Sequence, residues 1–322
     1  MPKIVITEFM TKGAVDDLAR DYDVVYETDL FERPDDLIAL VGDAEGLIVR
    51  NRTQVTANLL DAAPRLRVIG RLGVGLDNLD MEACAARNIP VYPATGANDA
   101  SVAEYVIASA FHLIRRAFHA TSRILDGEWP RQAFVGEELQ GRCLGLIGFG
   151  SIARVLARKA ESLDLKILAY DPHLAEGDPA WKEVSRVAGL TELLTSADIV
   201  SLHIPRLPST EHLIDSAAIA SMKPGAILIN AARGGIVDED ALAEALRSGH
   251  LSGAALDVLE TEPPTKESIA KFKGLTNLIL TPHIAGPTIQ SDIRVSGVTA
   301  ENVRHVLSSP NSDGDRGAIV QG

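Results

Sequence analysis

Apolar residues along the first hundred positions fall into two alternating patterns. Short β-type runs at Lys3 to Thr7, Val24 to Tyr26, Leu47 to Val49, Arg67 to Ile69 and Pro90 to Tyr92 are candidate strands. The segments between them carry helical spacing; near Met10 to Arg20, Val15, Leu18 and Ala19 form an i, i+3, i+4 stripe. Such alternation predicts a parallel sheet covered by helices. From Ser101 to about Ile124 the pattern changes to one long helix, with Val102, Tyr105, Val106, Phe111 and Leu113 spread around its circumference. A helix apolar on several sides either crosses between domains or packs on a second subunit, and Asn98 and Asp99 are expected to cap its start.

A second α/β unit follows, with strands expected at Leu144 to Ile147, Ile167 to Tyr170, Ile199 to Leu202, Ala226 to Ile229, Ala254 to Leu256 and Leu278 to Leu280. These runs are almost continuously apolar, as parallel strands covered on both faces should be. A last helix is expected from Ile289 to Leu307, and the polar tail from Ser308 reads as disordered.

At 322 residues the chain has room for two domains. Its 46% hydrophobic and 23% charged residues are those of a globular protein. A net charge of -13 would repel phosphate backbones and anionic lipid surfaces, so nucleic-acid and membrane roles are not expected. No apolar run of about 18 residues occurs, and the start reaches Glu8 without a basic-then-apolar signal. The protein is expected in the cytoplasm. Cys84 and Cys143 lie far apart without metal-ligand spacing, so they read as apolar fillers and no metal site is predicted.

One stretch carries specific chemistry. Cys143-Leu-Gly-Leu-Ile-Gly148-Phe-Gly150-Ser-Ile-Ala153 places a strand directly before a GxGxxA turn, and Ile152 to Leu163 continues as an amphipathic helix. Gly148 suits the tight turn, Gly150 a close diphosphate, and Ala153 close helix packing. Asp171 ends the next strand about 20 residues on, where an acid accepts hydrogen bonds from the ribose hydroxyls. Its charge repels a 2′-phosphate and Pro172-His173-Leu174 offers no arginine, which points to NAD rather than NADP. A second glycine-rich match, Gly70 to Asp77, lacks a long helix.

Arg233, Glu262 and His283 each follow the end of a predicted strand in the second unit, and strand carboxyl ends are where open α/β sheets bind ligands. Together they suit hydride transfer between a hydroxy acid and nicotinamide. Arginine grips a carboxylate with two prongs, histidine moves the hydroxyl proton and the acid tunes it. Each also has a purely structural alternative: an anchor at a helix start for Arg233, a solvated turn for Glu262, an ordinary packed histidine for His283.

Asn230-Ala-Ala-Arg233-Gly-Gly-Ile-Val-Asp238, Asp257-Val-Leu-Glu-Thr-Glu262-Pro-Pro and Thr281-Pro-His283-Ile-Ala-Gly286 resemble signature blocks of the D-isomer-specific 2-hydroxyacid dehydrogenases, the phosphoglycerate dehydrogenase relatives. Leu202-His203-Ile-Pro205 and Gly73-Val74-Gly75-Leu76-Asp77-Asn78 resemble two further blocks. The resemblance implies two doubly wound α/β domains. A flavodoxin-like substrate domain would span 1–99 and 287–322, with an inserted NAD-binding Rossmann domain at 100–286 and a homodimer formed through the insert. It implies that Arg233 orients the substrate, that His283 is the acid/base and that Glu262 is its partner. Ser151, Ile152, Asp171, His203, Ile204, Pro205, Ala231, Ala232, Asp257 and Gly286 would line the NAD alongside Gly148 and Gly150, and the amides of Gly73, Val74 and Gly75 would hold the substrate carboxylate. One departure stands out: the family's usual Leu-Thr after Pro205 is Arg206-Leu207-Pro208 here. An NAD-binding, corepressor-like sensor is the alternative, and a turnover assay separates it from an enzyme.

Arg50, Arg52 and Arg71 lie at predicted strand ends expected to face an interdomain cleft, and a lone carboxylate is already served by Arg233 and the glycine-rich amides. Arg50 and Arg71 are therefore candidates for a second anion on the substrate, a sulfonate or phosphate; the alternative is that they point to solvent or pair with Asp77. The Thr7-Glu8-Phe9-Met10 stretch resembles the sulfolactate dehydrogenases of this family, which implies a dianionic substrate.

Overall fold

The computed structural model describes residues 1–309, so the tail expected to be disordered lies almost wholly outside the described residues. Two compact units are present: Met1–Asn98 joined by the chain from Pro287, and Asp99–Gly286.

The first unit holds β1 (Lys3–Ile6), β2 (Asp23–Tyr26), β3 (Gly46–Val49), β4 (Val68–Arg71) and β5 (Val91–Pro93). They form an all-parallel sheet in the order β2-β1-β3-β4-β5, the flavodoxin-like arrangement. Strand residues alternate between faces. Val5, Leu47, Val49 and Ile69 pack with Leu37, Leu60 and Cys84 on one side. Ile4, Ile6, Ile48 and Val68 meet Val295, Val303 and Leu307 of the helix Ile289–Ser308 on the other. That helix lies so close to β4 that a Cβ on Gly70 would come within 2.7 Å of Val303 and 2.8 Å of Thr299. A capping box between Thr288 and Ser291 starts it.

The second unit holds β6 (Cys143–Ile147), β7 (Lys166–Tyr170), β8 (Ser185–Arg186), β9 (Ile199–Leu202), β10 (Ile227–Asn230), β11 (Gly253–Leu256) and β12 (Leu278–Leu280). Their parallel order, β12-β11-β10-β9-β6-β7-β8, is the doubly wound Rossmann order with one strand added at the edge. Helices Asp99–Arg115 and Ser151–Glu161 cover one face of this sheet, while Leu193, Leu242 and Leu246 fill the other. Strand β8 went unpredicted because its two residues are polar and exposed.

The long helix expected to reach Ile124 stops at Arg115. Arg116 is in the left-handed region (φ 53°), and short helical turns continue at Ala117–Ala120 and Thr121–Leu125. The apolar spacing persists past Arg116, but Phe118, Ile124 and Leu125 are exposed, so this unit gives them no core to extend the helix along. The expected Asn98–Asp99 cap is also corrected: Asp99 is the first helical residue and is buried, and the buried Asn98 Oδ1 accepts no hydrogen bond among the described residues.

Candidate active site

In the second unit β6 lies beside both β7 and β9, so the strand order reverses around it and a crevice opens at the strand carboxyl ends. Gly148 turns the chain there with φ 87°, and its N–H donates to the Tyr170 carbonyl at 2.8 Å. A Cβ on Gly148 would lie 2.4 Å from the His203 carbonyl oxygen and 2.7 Å from Ile204, so the turns after β6 and β9 meet here. Over Gly150, by contrast, a Cβ would meet nothing within 4 Å. This open floor leads into helix Ser151–Glu161, whose first amides lack intrahelical acceptors and form the positive end of its dipole. Ala153 is fully buried, drawing that helix onto the sheet.

The Asp171 carboxylate lies against the same turn. Its Oδ2 accepts the Phe149 N–H at 2.9 Å, and its Oδ1 accepts those of His173 and Leu174 at 2.9 and 3.2 Å. Three of about four acceptor positions are thus used, leaving one for a hydroxyl. An open glycine floor, a helix N-terminus and a carboxylate at the next strand end fit a dinucleotide without a 2′-phosphate. On the β9 side, His203 Nε2 lies 2.9 Å from the buried Ser201 hydroxyl, and burial pushes its imidazole down to about 4. Arg206, where the sequence departs from the family pattern, pairs with Glu211 at 3.0 Å and lays its guanidinium against Gly235.

The loop after β10 carries Arg233. Asn230 staples it: the side-chain oxygen accepts the Ala232 N–H at 3.0 Å and the amide donates to the Arg233 carbonyl at 2.9 Å. Gly234 packs on the loop after β11, where a Cβ would fall 1.8 Å from the Leu259 carbonyl oxygen. That second loop carries Glu262, whose Oε1 accepts the Leu259 N–H at 2.8 Å. Glu262 Oε2 lies 2.8 Å from His283 Nδ1. A carboxylate only accepts, so the ring proton is on Nδ1 and Nε2 is left for a substrate hydroxyl or carbonyl. Burial opposes the charge on Glu262, but the His283 and Leu259 hydrogen bonds and the charges of His283 and Arg233 together hold its carboxyl below the ordinary range.

Asp257 fixes the histidine. Its backbone carbonyl accepts the His283 N–H at 2.8 Å, and its buried carboxylate accepts the Thr281 hydroxyl at 2.6 Å and the amides of Ile284 and Ala285 at 2.9 and 2.8 Å. His283 itself has φ 56°, a strained conformation that these bonds maintain. The sequence points to Asp257 as a cofactor contact; the structure shows that its side chain also holds the His283 loop. Sequence reasoning also missed a brace behind Glu262. The amides of Glu239 and Glu260 each donate to the other's carboxylate, at 3.2 and 2.8 Å, and Lys271 lies within 3.6 and 3.7 Å of the two acids.

Residues 107–285 match the model of the D-isomer specific 2-hydroxyacid dehydrogenase NAD-binding domain. The chain belongs to this dehydrogenase family. It is 52% identical over 307 residues to an (S)-sulfolactate dehydrogenase of Chromohalobacter salexigens, covering 95% of this chain and 99% of that one. It is 39% identical over 269 residues to a hydroxypyruvate reductase of Thermotoga maritima, covering 84% and 87%. A D-lactate dehydrogenase from Aquifex aeolicus, solved with NAD and lactic acid, superposes with a TM-score of 0.82 at 30% identity, covering 95% of each chain. This family member is an NAD-dependent dehydrogenase acting on 2-hydroxy acids.

In the dehydrogenase's first unit, the proposed substrate contacts occupy the ends of β3 and β4. Arg50 Nη2 donates to Asp292 at 2.8 Å, and its guanidinium lies 5.9 Å from the Phe9 ring. Arg52 stacks on Phe31 at 3.7 Å and reaches Glu32 at 3.4 Å. Arg71 Nη1 donates to the Leu72 carbonyl at 2.8 Å and covers Gly73, whose φ of 140° only glycine adopts readily. Val74 continues the same bend and Gly75 follows it. Among the described residues no cluster of His, Cys, Asp and Glu could hold a metal ion, and no helix is long and apolar enough to cross a membrane.

Proposed function

We propose that the enzyme interconverts a D-configured 2-hydroxy acid bearing a second anion on its third carbon, of the sulfolactate type, with its 2-keto acid. The observation that carries this is the 52% identity, over nearly all of both chains, to an (S)-sulfolactate dehydrogenase. The (S) label agrees with a D-specific family, because sulfur raises the CH2 group above the carboxylate in priority and so reverses the descriptor of an unchanged D arrangement. Arg233 grips the carboxylate and carbonyl, and His283 Nε2 takes the hydroxyl proton in oxidation and returns it in reduction. Glu262 stabilises the protonated imidazole. The Gly148–Ala153 turn and Asp171 would hold NAD, which would supply the hydride acceptor for oxidation and, as NADH, the donor for reduction. The amides of Gly73, Val74 and Gly75 hold the substrate carboxylate, and Arg50 and Arg71 serve the second anion.

The protein works as a homodimer in the cytoplasm. Phe118, Leu125, Trp129 and Val135 are 67%, 82%, 81% and 65% exposed on one segment of the inserted unit, an apolar stretch suited to a second copy. Its cysteines are unpaired thiols, as a reducing compartment keeps them. The test of substrate class compares kcat/KM for sulfopyruvate and phosphohydroxypyruvate with that for pyruvate and bulky apolar keto acids, and repeats it with Arg50→Ala. A best substrate without the second anion, or an Arg50→Ala enzyme that treats all of them alike, overturns it.

A further inference from the structure

The loop following β3 is gathered around one buried side chain. Glu8, 4% exposed, accepts the backbone N–H groups of four successive residues. Its Oε1 takes those of Arg50 and Thr53 at 2.9 and 3.0 Å, and its Oε2 those of Arg52 and Asn51 at 3.0 and 3.3 Å. Consecutive amides converging in this way form an anion cradle, and here the anion is the protein's own. All four carboxylate acceptor positions are filled. The loop carbonyls are pinned as well: the Asn78 amide donates to those of Thr53 and Arg50 at 2.6 and 3.3 Å, while the Thr7 and Thr53 hydroxyls meet at 2.7 Å. These amides are therefore closed to a substrate anion, and the loop can meet one only with side chains: exposed Asn51, Arg52, which is held on Phe31 and Glu32, and the partly exposed Arg50. Asp292 holds the Arg50 side chain by Nη2 alone, leaving Nε and Nη1 without hydrogen-bond partners among the described residues.

We propose that Glu8 is a positioning residue for substrate selectivity: its carboxylate sets the backbone of Arg50, Asp292 sets the guanidinium, and together they aim two remaining donors at the substrate's second anion. This rests on the function proposed above, in which Arg50 serves that anion. A fixed fork loses little freedom on binding, which is why two carboxylates are spent on one arginine.

Glu8→Gln is the direct test, since its amide nitrogen faces two N–H donors instead of accepting them. Hydrogen exchange on the full-length protein should show the amides of 50–53 slowly exchanging in the wild type and about tenfold faster or more in Glu8→Gln. The ratio of kcat/KM for sulfopyruvate to that for pyruvate should fall about tenfold, mainly through KM for sulfopyruvate. Arg50→Ala should lower the same ratio, and adding Glu8→Gln to it should lower it no further. Asp292→Asn, which leaves the buried cradle intact, should lower the ratio in the same direction and serves if Glu8→Gln does not fold. If Arg50→Ala lowers the ratio while Glu8→Gln and Asp292→Asn do not, the positioning role is overturned and the substrate class stands. If Arg50→Ala leaves the ratio unchanged, the assignment of the second anion to Arg50 fails and this proposal fails with it. Fast exchange at 50–53 in the wild type overturns the cradle itself.

Discussion

Gly234→Ala tests whether the arginine loop and the acid loop work as one piece. Gly234 does not lie in the left-handed region, so the substitution carries no backbone strain and its whole effect is steric. The added carbon would lie 1.8 Å from the Leu259 carbonyl oxygen, 2.4 Å from its carbonyl carbon and 3.0 Å from the Glu260 nitrogen, whereas ordinary contact begins at 3.4 Å. Every blocking atom is backbone, so no rotamer change relieves the clash and the loops must part by about 1.6 Å. Leu259 donates the N–H that fixes Glu262, and Glu262 holds His283, so the displacement passes directly to the acid/base pair. A misplacement of about 1 Å costs roughly a hundredfold in rate, and kcat/KM should fall at least that far. The Gly148 to Ala153 turn is not touched, so NADH should still bind, within several-fold of wild type. Steady-state NADH oxidation gives the rate, and quenching of protein fluorescence by NADH gives the affinity. A variant with near wild-type kcat/KM, or one whose loss is wholly in NADH affinity, refutes the coupling of the two loops.

Asp171→Ala should weaken NAD binding by about 10- to 100-fold, the worth of a hydrogen bond to a charged group, and relax discrimination against NADP; equal wild-type efficiency with both cofactors argues against Asp171 as the selector. Arg233→Lys should raise KM and lower kcat together, because an ammonium cannot reproduce the planar fork, and unchanged kinetics would remove it from the site. Glu262→Gln strips the charge paired with His283, so kcat should fall in both directions with KM little changed, and an unchanged kcat would separate the two residues. Because burial holds the folded-state value of His203 at about 4 while the unfolded chain titrates near 6.5, the unfolded state binds the extra proton between those values. Stability should fall as pH drops through that window, by about 2 to 3 kcal/mol, and His203→Asn should flatten that limb in urea melts.

Much of the molecule was legible one short segment at a time. Runs such as Ile199–Leu202 and Ile227–Asn230 announce buried parallel strands by composition alone, and the turn from Gly148 to Ala153 encodes its helix within a few residues. Arg233, Glu262 and His283 stood out because each closely follows a readable strand end, although only the structure pairs Glu262 with His283. Local patterning failed where burial decided the outcome. The apolar period carries on past Arg116, yet the helix breaks there because the residues beyond it are exposed.

Side-chain tasks set by distant partners were beyond the sequence. Glu8 reads from the sequence only as part of the Thr7-Glu8-Phe9-Met10 resemblance, until strands β1 and β3 lie side by side and bring it to amides more than forty residues away. Asp257 reads from the sequence only as a cofactor contact, and its further grip on the His283 loop appears once β12 lies beside β11. The mutual grip of Glu239 and Glu260 likewise needs β10 next to β11. Periodicity and turn chemistry act over a few residues and so are written locally. Which carboxylate meets which amide depends on strand order, and only the folded sheet decides it.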